Sequence, residues 1–319
     1  MREIAIFSGS AHPQLAEEIC ARLGVPRQPV VTRRFANDCL EVQLQSNCRE
    51  RDVFLIQPLS PPVQEHLTEL LLMLDAARGA SAARVTAVIP HYAYGRSDKK
   101  NRPRVSIGGR LVADLLVTAG ANRVLTVTLH APQVHGFFSV PVDHLHALRE
   151  LAGHYRDLDL SGTVVVSPDL GNAKQAAALA RMLGVPVAAG AKERQSDEQV
   201  TISSIIGDVA GRDVIVLDDE IASGTTIMEL LARLREQRVR SVRVACTHGL
   251  FSDGALQRIA AQPDVLEIVT TNTVPLADSK RDPKLHVISV GPALAEAIRR
   301  IHEGESVSAL FDAPLMTGP

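Results

Sequence analysis

The feature that most constrains this chain is a short apolar run that leads directly into two acids and a hydroxyl-rich loop. Val214–Leu217 are apolar, Asp218 and Asp219 follow, and small and hydroxyl residues then continue to Thr226. Beyond the loop, apolar residues recur at i, i+3, i+4 and i+7, which predicts an amphipathic helix. A buried strand, a polar loop and a helix in this order predict one βα unit of a parallel α/β sheet.

The same loop has the chemistry of a cradle for a sugar phosphate. Backbone N–H groups at a helix start and the helix dipole favour an anion there, and Gly224 allows close backbone approach. Asp218 and Asp219 accept hydrogen bonds and suit vicinal hydroxyls or the surroundings of a metal ion. An ordinary strand–turn–helix is the alternative, but it does not require adjacent acids. The predicted cradle consists of Ala222, Ser223, Gly224, Thr225 and Thr226.

Length, charge and composition narrow the class of protein. A chain of 319 residues with 45% hydrophobic residues suits one large or two medium domains with real cores. A net charge of −2, the lack of Trp and 3% aromatic residues disfavour a nucleic-acid partner. The four cysteines lack paired spacing, so neither a zinc site nor a disulfide framework is predicted. We find no signal-like start and no long apolar stretch, which predicts a cytoplasmic protein without a membrane partner.

Short β-branched runs alternate with helical patterns along the chain, which predicts α/β architecture with mostly parallel sheets. Two neighbouring strands that end in polar residues occur twice. The first pair is Arg84–Pro90 with Arg123–His130, and the second is Thr163–Asp169 with Asp213–Asp219. This echo predicts two similar domains with function at the carboxyl edge of each sheet. The predicted divisions are a first domain at 1–147, a second domain at 148–303 and a weakly ordered tail at 304–319.

Two other segments after predicted strands carry polar side chains. Positions 96 to 104 hold five cations and one acid. Arginines such as Arg96 suit bidentate contact with a polyphosphate, although a solvated charged face is the alternative. His130 lies at the tip of another strand, where a neutral imidazole can ligate a metal or contact a phosphate. A lone histidine is more often structural, so His130 remains open on this argument.

Several motifs together resemble one known family, ribose-phosphate diphosphokinase, also called phosphoribosyl-diphosphate (PRPP) synthase. The similarity runs in order, at the family's spacing, from about residue 3 to residue 300. The segments that carry it are Ile6–Pro13 (IFSGSAHP), Ile89–Lys100 (IPHYAYGRSDKK), Leu129–Phe138 (LHAPQVHGFF), Val166–Gly171 (VSPDLG) and Ile205–Asp213 (IIGDVAGRD).

The resemblance implies two phosphoribosyltransferase-like domains, each with a mostly parallel central sheet flanked by helices. It also implies Mg²⁺-dependent transfer of the diphosphoryl group of ATP to the C1 hydroxyl of ribose 5-phosphate, giving PRPP and AMP. Catalysis of this kind depends mainly on positioning and charge neutralisation. The expected assembly is a homo-hexamer built from dimers, with ATP sites completed across a subunit boundary. Arg96–Arg104 is the candidate shared surface.

The resemblance also implies a role for each matching residue. Asp218 and Asp219 would take the ribose hydroxyls, and the cradle defined above would take the 5-phosphate. The residues expected to bind ATP are Phe35, Asn37, Cys39, Arg96 and Ser97. His130 and Asp169 would hold the metal, and His130, Lys192 and Arg194 would be catalytic.

Some site positions depart from the family pattern. Asn37, Cys39, Thr128, Ser139 and Ala222 stand where acids are common, and Ser97 stands where glutamine is usual. These departures predict a divergent member with altered nucleotide or sugar preference, or with lost catalysis. The alternatives to an active diphosphokinase are a non-catalytic regulatory paralogue and a phosphoribosyltransferase, which consumes PRPP.

Overall fold

The computed structural model describes residues 2–194, 200–308 and 310, and the side chains at 192–194, 200 and 201 lie outside this description. The chain divides into two compact units. The first holds the described residues up to His146, Thr273–Pro275 and the described chain from Val290 onward. The second holds Ala147–Asn272 and Leu276–Ser289.

The first unit is built around a parallel sheet. Its strands are β1 (Ile4–Ser8), β2 (Arg27–Gln28), β3 (Val30–Arg34), β4 (Leu40–Leu44), β5 (Asp52–Ile56), β6 (Arg84–Ile89), β7 (Arg123–Val127) and β8 (Val142–Leu145). Six of them form the sheet in the order β2-β1-β5-β6-β7-β8, and every pairing is parallel. Strands β3 and β4 form a separate antiparallel hairpin. The helices that follow these strands are α1 (Pro13–Leu23), α2 (Val63–Gly79) and α3 (Gly108–Ala119).

The second unit repeats this plan. Its helices are α4 (Leu148–Tyr155), α5 (Ala173–Leu183), α6 (Thr225–Glu236) and α7 (Ala255–Ala260). Its strands are β9 (Thr163–Ser167), β10 (Val187–Arg194), β11 (Val200–Ile206), β12 (Asp213–Ile221), β13 (Ser241–Gly249), β14 (Val265–Thr271) and β15 (Leu285–Ile288). Their order is β11-β10-β9-β12-β13-β14-β15, and only the β10–β11 pairing is antiparallel among the described residues.

The two sheets have the same strand order, which confirms the prediction of two similar α/β units. The order β2-β1-β5-β6-β7-β8 corresponds to β10-β9-β12-β13-β14-β15. The sequence echo was therefore aligned wrongly, because Thr163–Ser167 corresponds to Ile4–Ser8 and not to Arg84–Ile89. Short apolar runs resemble one another in any buried parallel sheet, so their composition alone could not set the correspondence. In the first unit the antiparallel β3–β4 pair follows β2, whereas in the second unit β10 itself pairs antiparallel with β11.

The last helix, α8 (Gly291–Glu303), belongs to the first unit, although the sequence placed it in a second domain ending at residue 303. It packs against α1, and Leu294 and Ile298 on its inner face are fully buried. The end of α8 is also held by polar contacts. Asp52 Oδ2 accepts from His302 Nδ1 at 2.8 Å, and Arg84 Nη2 donates to the carbonyl of Ile301 at 2.8 Å.

Most predicted strands and helices are present, with differences that affect the site. Strand β12 continues through Asp218 and Asp219 to Ile221, because β13 pairs with it along this length. The chain pattern also gave no sign of β2, β3, β8, β11, α4 or α7. In the part of the chain that the structure describes, no helix is long and apolar enough to cross a membrane.

Candidate active site

Two adjacent carboxylates project from the carboxyl-terminal part of β12 in the second unit. Asp218 pairs with Cys246 of β13, and Asp219 donates its backbone N–H to Asp218 Oδ1 at 2.9 Å. Burial raises the pKa of the Asp218 carboxyl well above its ordinary value, and the nearby Asp219 and Asp169 charges raise it further. Burial likewise raises the pKa of the Cys246 thiol to about 12, so this cysteine is a neutral neighbour. The site therefore concentrates negative charge that a bound cation or ligand hydroxyls can offset.

The loop after β9 brings Asp169 to the same edge of the sheet, beside the carboxylates of β12. Ser167 Oγ donates to the Asp169 carbonyl at 2.6 Å, and Asn172 donates its backbone N–H to Asp169 Oδ1 at 3.1 Å. The Asn172 side chain then donates to the carbonyl of Leu217 at 2.9 Å. Asn172 thus ties this loop directly to β12, at the residue before Asp218. Sequence reasoning missed it, and its position three residues after Asp169 was the only available signal.

The predicted phosphate cradle occupies the turn between β12 and α6. Gly224 is the residue before the helix and has a φ of 73°, in the left-handed region that favours glycine. A Cβ at this position would lie 3.0 Å from the Cβ of Ala255. Thr225 and Thr226 are the first helical residues, and the hydroxyls of Ser223 and Thr225 lie 3.2 Å apart. The cradle is therefore a helix start with hydroxyl groups beside it, as an anion site requires.

The segment after β13 holds the cradle from outside. Phe251 donates its N–H to the carbonyl of Ile221 at 3.0 Å, and Ser252 donates to the carbonyl of Ala222 at 3.0 Å. Arg258 of α7 donates to the carbonyl of Ser223 at 2.5 Å and also to the carbonyl of Asp253. These contacts satisfy carbonyl groups of the turn. Arg258 carried no motif signal, because its partners are carbonyls brought near only by the fold.

In the first unit, His130 follows β7 and is exposed. The chain before it is fixed, since Leu129 donates its N–H to His144 Nε2 at 2.7 Å and Thr128 donates to the carbonyl of Leu145 at 2.8 Å. Gly95 lies beside His130, because a Cβ on Gly95 would be 3.6 Å from the backbone nitrogen of His130. His130 therefore lies close to the start of the basic segment, residues 96 to 104. The other predicted metal ligand, Asp169, lies in the second unit.

The basic segment contains Arg96 and Ser97, two of the residues predicted to bind ATP. Arg96 is exposed and ends a 3₁₀ turn at Ala93–Arg96. The Ser97 hydroxyl accepts the N–H of Gly108 at 2.9 Å, and Gly109 donates to the Ser97 carbonyl at 2.9 Å. Ser97 thus joins the basic segment to the start of α3 by accepting hydrogen bonds from two backbone N–H groups. The sequence did not suggest this structural role.

The β3–β4 hairpin carries the other three residues predicted to bind ATP. Phe35 is 50% exposed at the start of the turn, so this aromatic residue is accessible to a base. The turn is closed by the N–H of Phe35, which donates to the Cys39 carbonyl at 2.9 Å. Asn37 Oδ1 accepts from the Cys39 N–H at 3.3 Å, and the Cys39 side chain is exposed. Phe35, Asn37 and Cys39 therefore come together in one small exposed turn.

Lys192 and Arg194 lie on β10, the first strand of the antiparallel pair at the edge of the second sheet. Their backbone pairs with β11, where Lys192 lies opposite Ile202 and Arg194 opposite Val200. Their side chains lie outside the described residues, so their predicted catalytic roles stay predictions.

Two sheets with one strand order, each with polar residues at its carboxyl edge, define an α/β protein with two phosphoribosyltransferase-like domains. Residues 4–120 match the N-terminal domain of ribose phosphate pyrophosphokinase, and residues 197–312 match the phosphoribosyl synthetase-associated domain. The chain belongs to the ribose-phosphate pyrophosphokinase family.

Similar proteins extend over nearly the whole chain. A Streptomyces coelicolor protein provisionally assigned as a ribose-phosphate pyrophosphokinase is 73% identical over 98% of this chain and 99% of its own length. The ribose-phosphate pyrophosphokinase of Deinococcus radiodurans is 49% identical over 97% of this chain and 98% of its own. The crystal structure of phosphoribosylpyrophosphate synthetase from Mycobacterium smegmatis superposes with a TM-score of 0.88 at 41% identity, covering 95% of this chain and 100% of that one. The predicted family, fold class and PRPP-forming function are therefore confirmed.

Proposed function

We propose that the chain forms PRPP by Mg²⁺-dependent transfer of the diphosphoryl group of ATP to the C1 hydroxyl of ribose 5-phosphate. The observation that carries this proposal is the grouping of Asp169, Asp218 and Asp219 beside the helix start that follows Ile221. Acceptor-only carboxylates suit the sugar hydroxyls, and the helix start with its hydroxyl residues suits the 5-phosphate.

The residues at this edge fit a magnesium ion. Mg²⁺ in phosphoryl-transfer sites is held by one or two carboxylates, substrate phosphates and waters. The described side chains contain no group of three or more His, Cys, Asp or Glu residues arranged as a metal site. Asp169 would contribute one carboxylate, and the metal role of His130, which lies in the first unit, stays a prediction. The ion would supply neutralisation of the phosphate charge when bound.

The chain's own residues would divide the remaining tasks. Phe35 and its turn would hold adenine, with Arg96 on the phosphates, because an exposed ring and a guanidinium suit these groups. Asp218 and Asp219 would orient the sugar so that its C1 oxygen faces the diphosphoryl group. Lys192 and Arg194 would stabilise the charge on the transferring group.

Incubation with ATP, Mg²⁺ and ribose 5-phosphate should yield AMP and PRPP in equal amounts, measured by phosphorus spectroscopy or mass. Lys192→Ala should lower kcat by roughly 10²–10⁴, since removing one electrostatic donor costs about 10²–10³. Nucleotide binding should change little. Production of ADP in place of AMP would contradict the proposed reaction. A decrease in kcat of less than about threefold in Lys192→Ala would contradict the catalytic role of Lys192.

The departures at the nucleotide turn should affect specificity. Cys39 is exposed and cannot replace a carboxylate toward a ribose hydroxyl. Discrimination against deoxy-ATP and other nucleoside triphosphates should therefore be poorer than in family members with an acid at this position, because selectivity comes from polar groups left unpaired by the wrong ligand. Discrimination equal to that of a family member with the acid would show that another residue supplies this contact.

The assembly is expected to be a homo-hexamer built from dimers, with Arg96–Arg104 at the shared surface. Light scattering combined with an activity assay tests this expectation. A fully active monomer would contradict it.

A further inference from the structure

Glu69 is a fully buried carboxylate that lies outside the groups assigned to chemistry, with an exposed fraction of 1%. It lies on α2 and receives four hydrogen bonds from neutral donors. Oε2 accepts from the Ser10 N–H at 3.1 Å, the Ser10 hydroxyl at 2.6 Å and Gln57 Nε2 at 2.6 Å. Oε1 accepts from the Thr32 hydroxyl at 2.7 Å. A buried carboxylate is costly unless it is hydrogen-bonded, and here both oxygens are satisfied.

The partners of Glu69 come from three segments that are separate in sequence. Ser10 follows β1 and Gln57 follows β5, so both lie at the carboxyl edge of the first sheet. Thr32 lies on β3, in the hairpin that carries the Phe35 turn. Gln57 is fully buried and also accepts from the Ala11 N–H at 3.0 Å. Glu69 therefore connects the sheet edge with the hairpin.

A second contact joins the hairpin to the same helix. Arg34 Nη2 lies 2.6 Å from Glu65 Oε2, and Arg34 also pairs with Asp38 inside the turn. Glu65 and Glu69 are four residues apart and share a face of α2, while Thr32 and Arg34 are two residues apart and share a face of β3. Two acids one helical turn apart thus hold two side chains on the same face of the strand.

Among the described strands, β3 and β4 pair with each other and not with the main sheet, so side-chain contacts fix where the hairpin lies. Apolar contacts hold its base, where Val30, Val42 and Leu44 pack against the core of the unit. Such contacts are not directional, whereas hydrogen bonds with charged groups fix both distance and angle. Beyond Thr32 and Arg34 lies the exposed turn with Phe35.

We propose that Glu69, assisted by Glu65, is a positioning residue for ATP: it sets the place of the Phe35 turn relative to the carboxyl edge of the first sheet. This inference rests on the proposed function, in which the Phe35 turn holds the adenine. Glu69 itself touches no substrate. Its contribution is preorganisation of the base-binding surface, so its loss should weaken ATP binding more than it slows turnover.

The sharpest test is Thr32→Val, which removes the hydroxyl and keeps the shape of the side chain. We expect the KM for ATP to rise about three- to tenfold, because one hydrogen bond to a charged group is lost while the Arg34 contact remains. The kcat and the KM for ribose 5-phosphate should stay unchanged. The matched control is Thr68→Val on α2, whose exposed hydroxyl donates only to its own helix, at the Gln64 carbonyl at 2.8 Å.

Glu69→Gln supplies a conservative rescue. Its amide oxygen can accept from Ser10 and Gln57, and its NH₂ group can donate to the Thr32 hydroxyl, which then acts as an acceptor. The KM for ATP should therefore stay within about threefold of the parent value, below the cost of a lost hydrogen bond. In the Thr32→Val background, the further change Glu69→Gln should not be neutral, since a buried NH₂ would then lack its acceptor.

Phe35→Ala separates this inference from the proposed function. If Phe35→Ala raises the KM for ATP strongly and Thr32→Val does not, the positioning role is wrong and the nucleotide assignment stands. If Phe35→Ala leaves the KM for ATP unchanged, the assignment of the turn itself is wrong. A Thr32→Val variant with a lower kcat, higher KM values for both substrates and lower stability would show that the contact is purely structural. This result would also overturn the positioning role.

Discussion

At the scale of single residues, the site contains a buried carboxyl group whose ionised form lowers the stability of the ligand-free protein. Asp218 has a raised pKa because its carboxyl is buried beside the charges of Asp219 and Asp169. Keeping this group ionised without a ligand opposes folding, and a bound cation or sugar hydroxyls would offset this cost.

Asp218→Asn should abolish PRPP formation and raise the stability of the free protein near neutral pH. The folded pKa lies above the unfolded value of about 3.9, so the folded state binds more protons between the two values. Stability of the parent should therefore fall as pH rises through this window, and the variant should lose that dependence. Thermal unfolding as a function of pH measures both effects, with Asp157→Asn on the exposed surface as the control. A variant less stable than the parent at every pH would contradict the prediction.

Thr226→Val should weaken ribose 5-phosphate binding. The change keeps the shape of a residue in the first turn of α6 and deletes one proposed donor to the 5-phosphate. Loss of a hydrogen bond to a charged group costs about 1.5–3 kcal/mol, or roughly 10- to 150-fold in affinity. Titration calorimetry with each substrate provides the measurement. Equal weakening of ATP binding would show that the cradle is assigned wrongly.

At the scale of elements, the turn between β12 and α6 is shaped by its neighbours as much as by its own residues. Phe251 and Ser252 hold its carbonyls after β13, and Arg258 reaches it from α7. Phe251 and Asp253 have φ values of 46° and 53°, in a region that non-glycine residues rarely adopt. The adjoining segment is therefore held in an unusual conformation beside the cradle.

Arg258→Ala should raise the KM for ribose 5-phosphate about tenfold while the KM for ATP stays the same, since a small displacement of a positioning loop is costly to binding geometry. Arg258→Lys should recover only part of the loss, because lysine lacks the fork that reaches two carbonyls at once. Steady-state kinetics provide the measurement. The matched control is Arg281→Ala, whose side chain is 80% exposed and pairs with Asp278. A similar effect from Arg281→Ala would point to charge alone.

At the scale of the whole molecule, the first unit combines helices that are far apart in sequence, α1 and α8. Helix α8 packs on α1, and the Asp52–Arg84 pair bonds with Ile301 and His302 at its end. The first unit is therefore finished only after the second has been synthesised.

Leu294→Ala should destabilise the first unit by about 2–5 kcal/mol, the usual cost of removing a buried leucine side chain. Leu294 is fully buried on α8. Leu266→Ala is the matched control, because Leu266 is 51% exposed, and it should change stability by about 0.5 kcal/mol or less. Denaturant unfolding monitored separately for each unit, for example by hydrogen exchange, measures the effect. Loss of protection confined to the second unit would show that α8 belongs there.

The sequence by itself determined the parallel α/β class, the two similar units and the carboxylate–cradle segment. These follow from local rules: apolar runs form buried strands, periodic residues form helices, and glycine with hydroxyl residues forms an anion-binding turn. The motifs at Phe35, His130 and Asp169 could also be read in order along the chain.

Only the tertiary structure decided which strands correspond, where α8 packs, and how far β12 extends beyond Leu217. It also revealed the supporting roles of Asn172, Arg258 and Glu69, whose partners are distant in sequence. The physical reason is that local patterns report burial and backbone preference, whereas these contacts need backbone groups and side chains from separate segments to meet. Such meetings are fixed by strand pairing and helix packing, which no single window of the sequence contains.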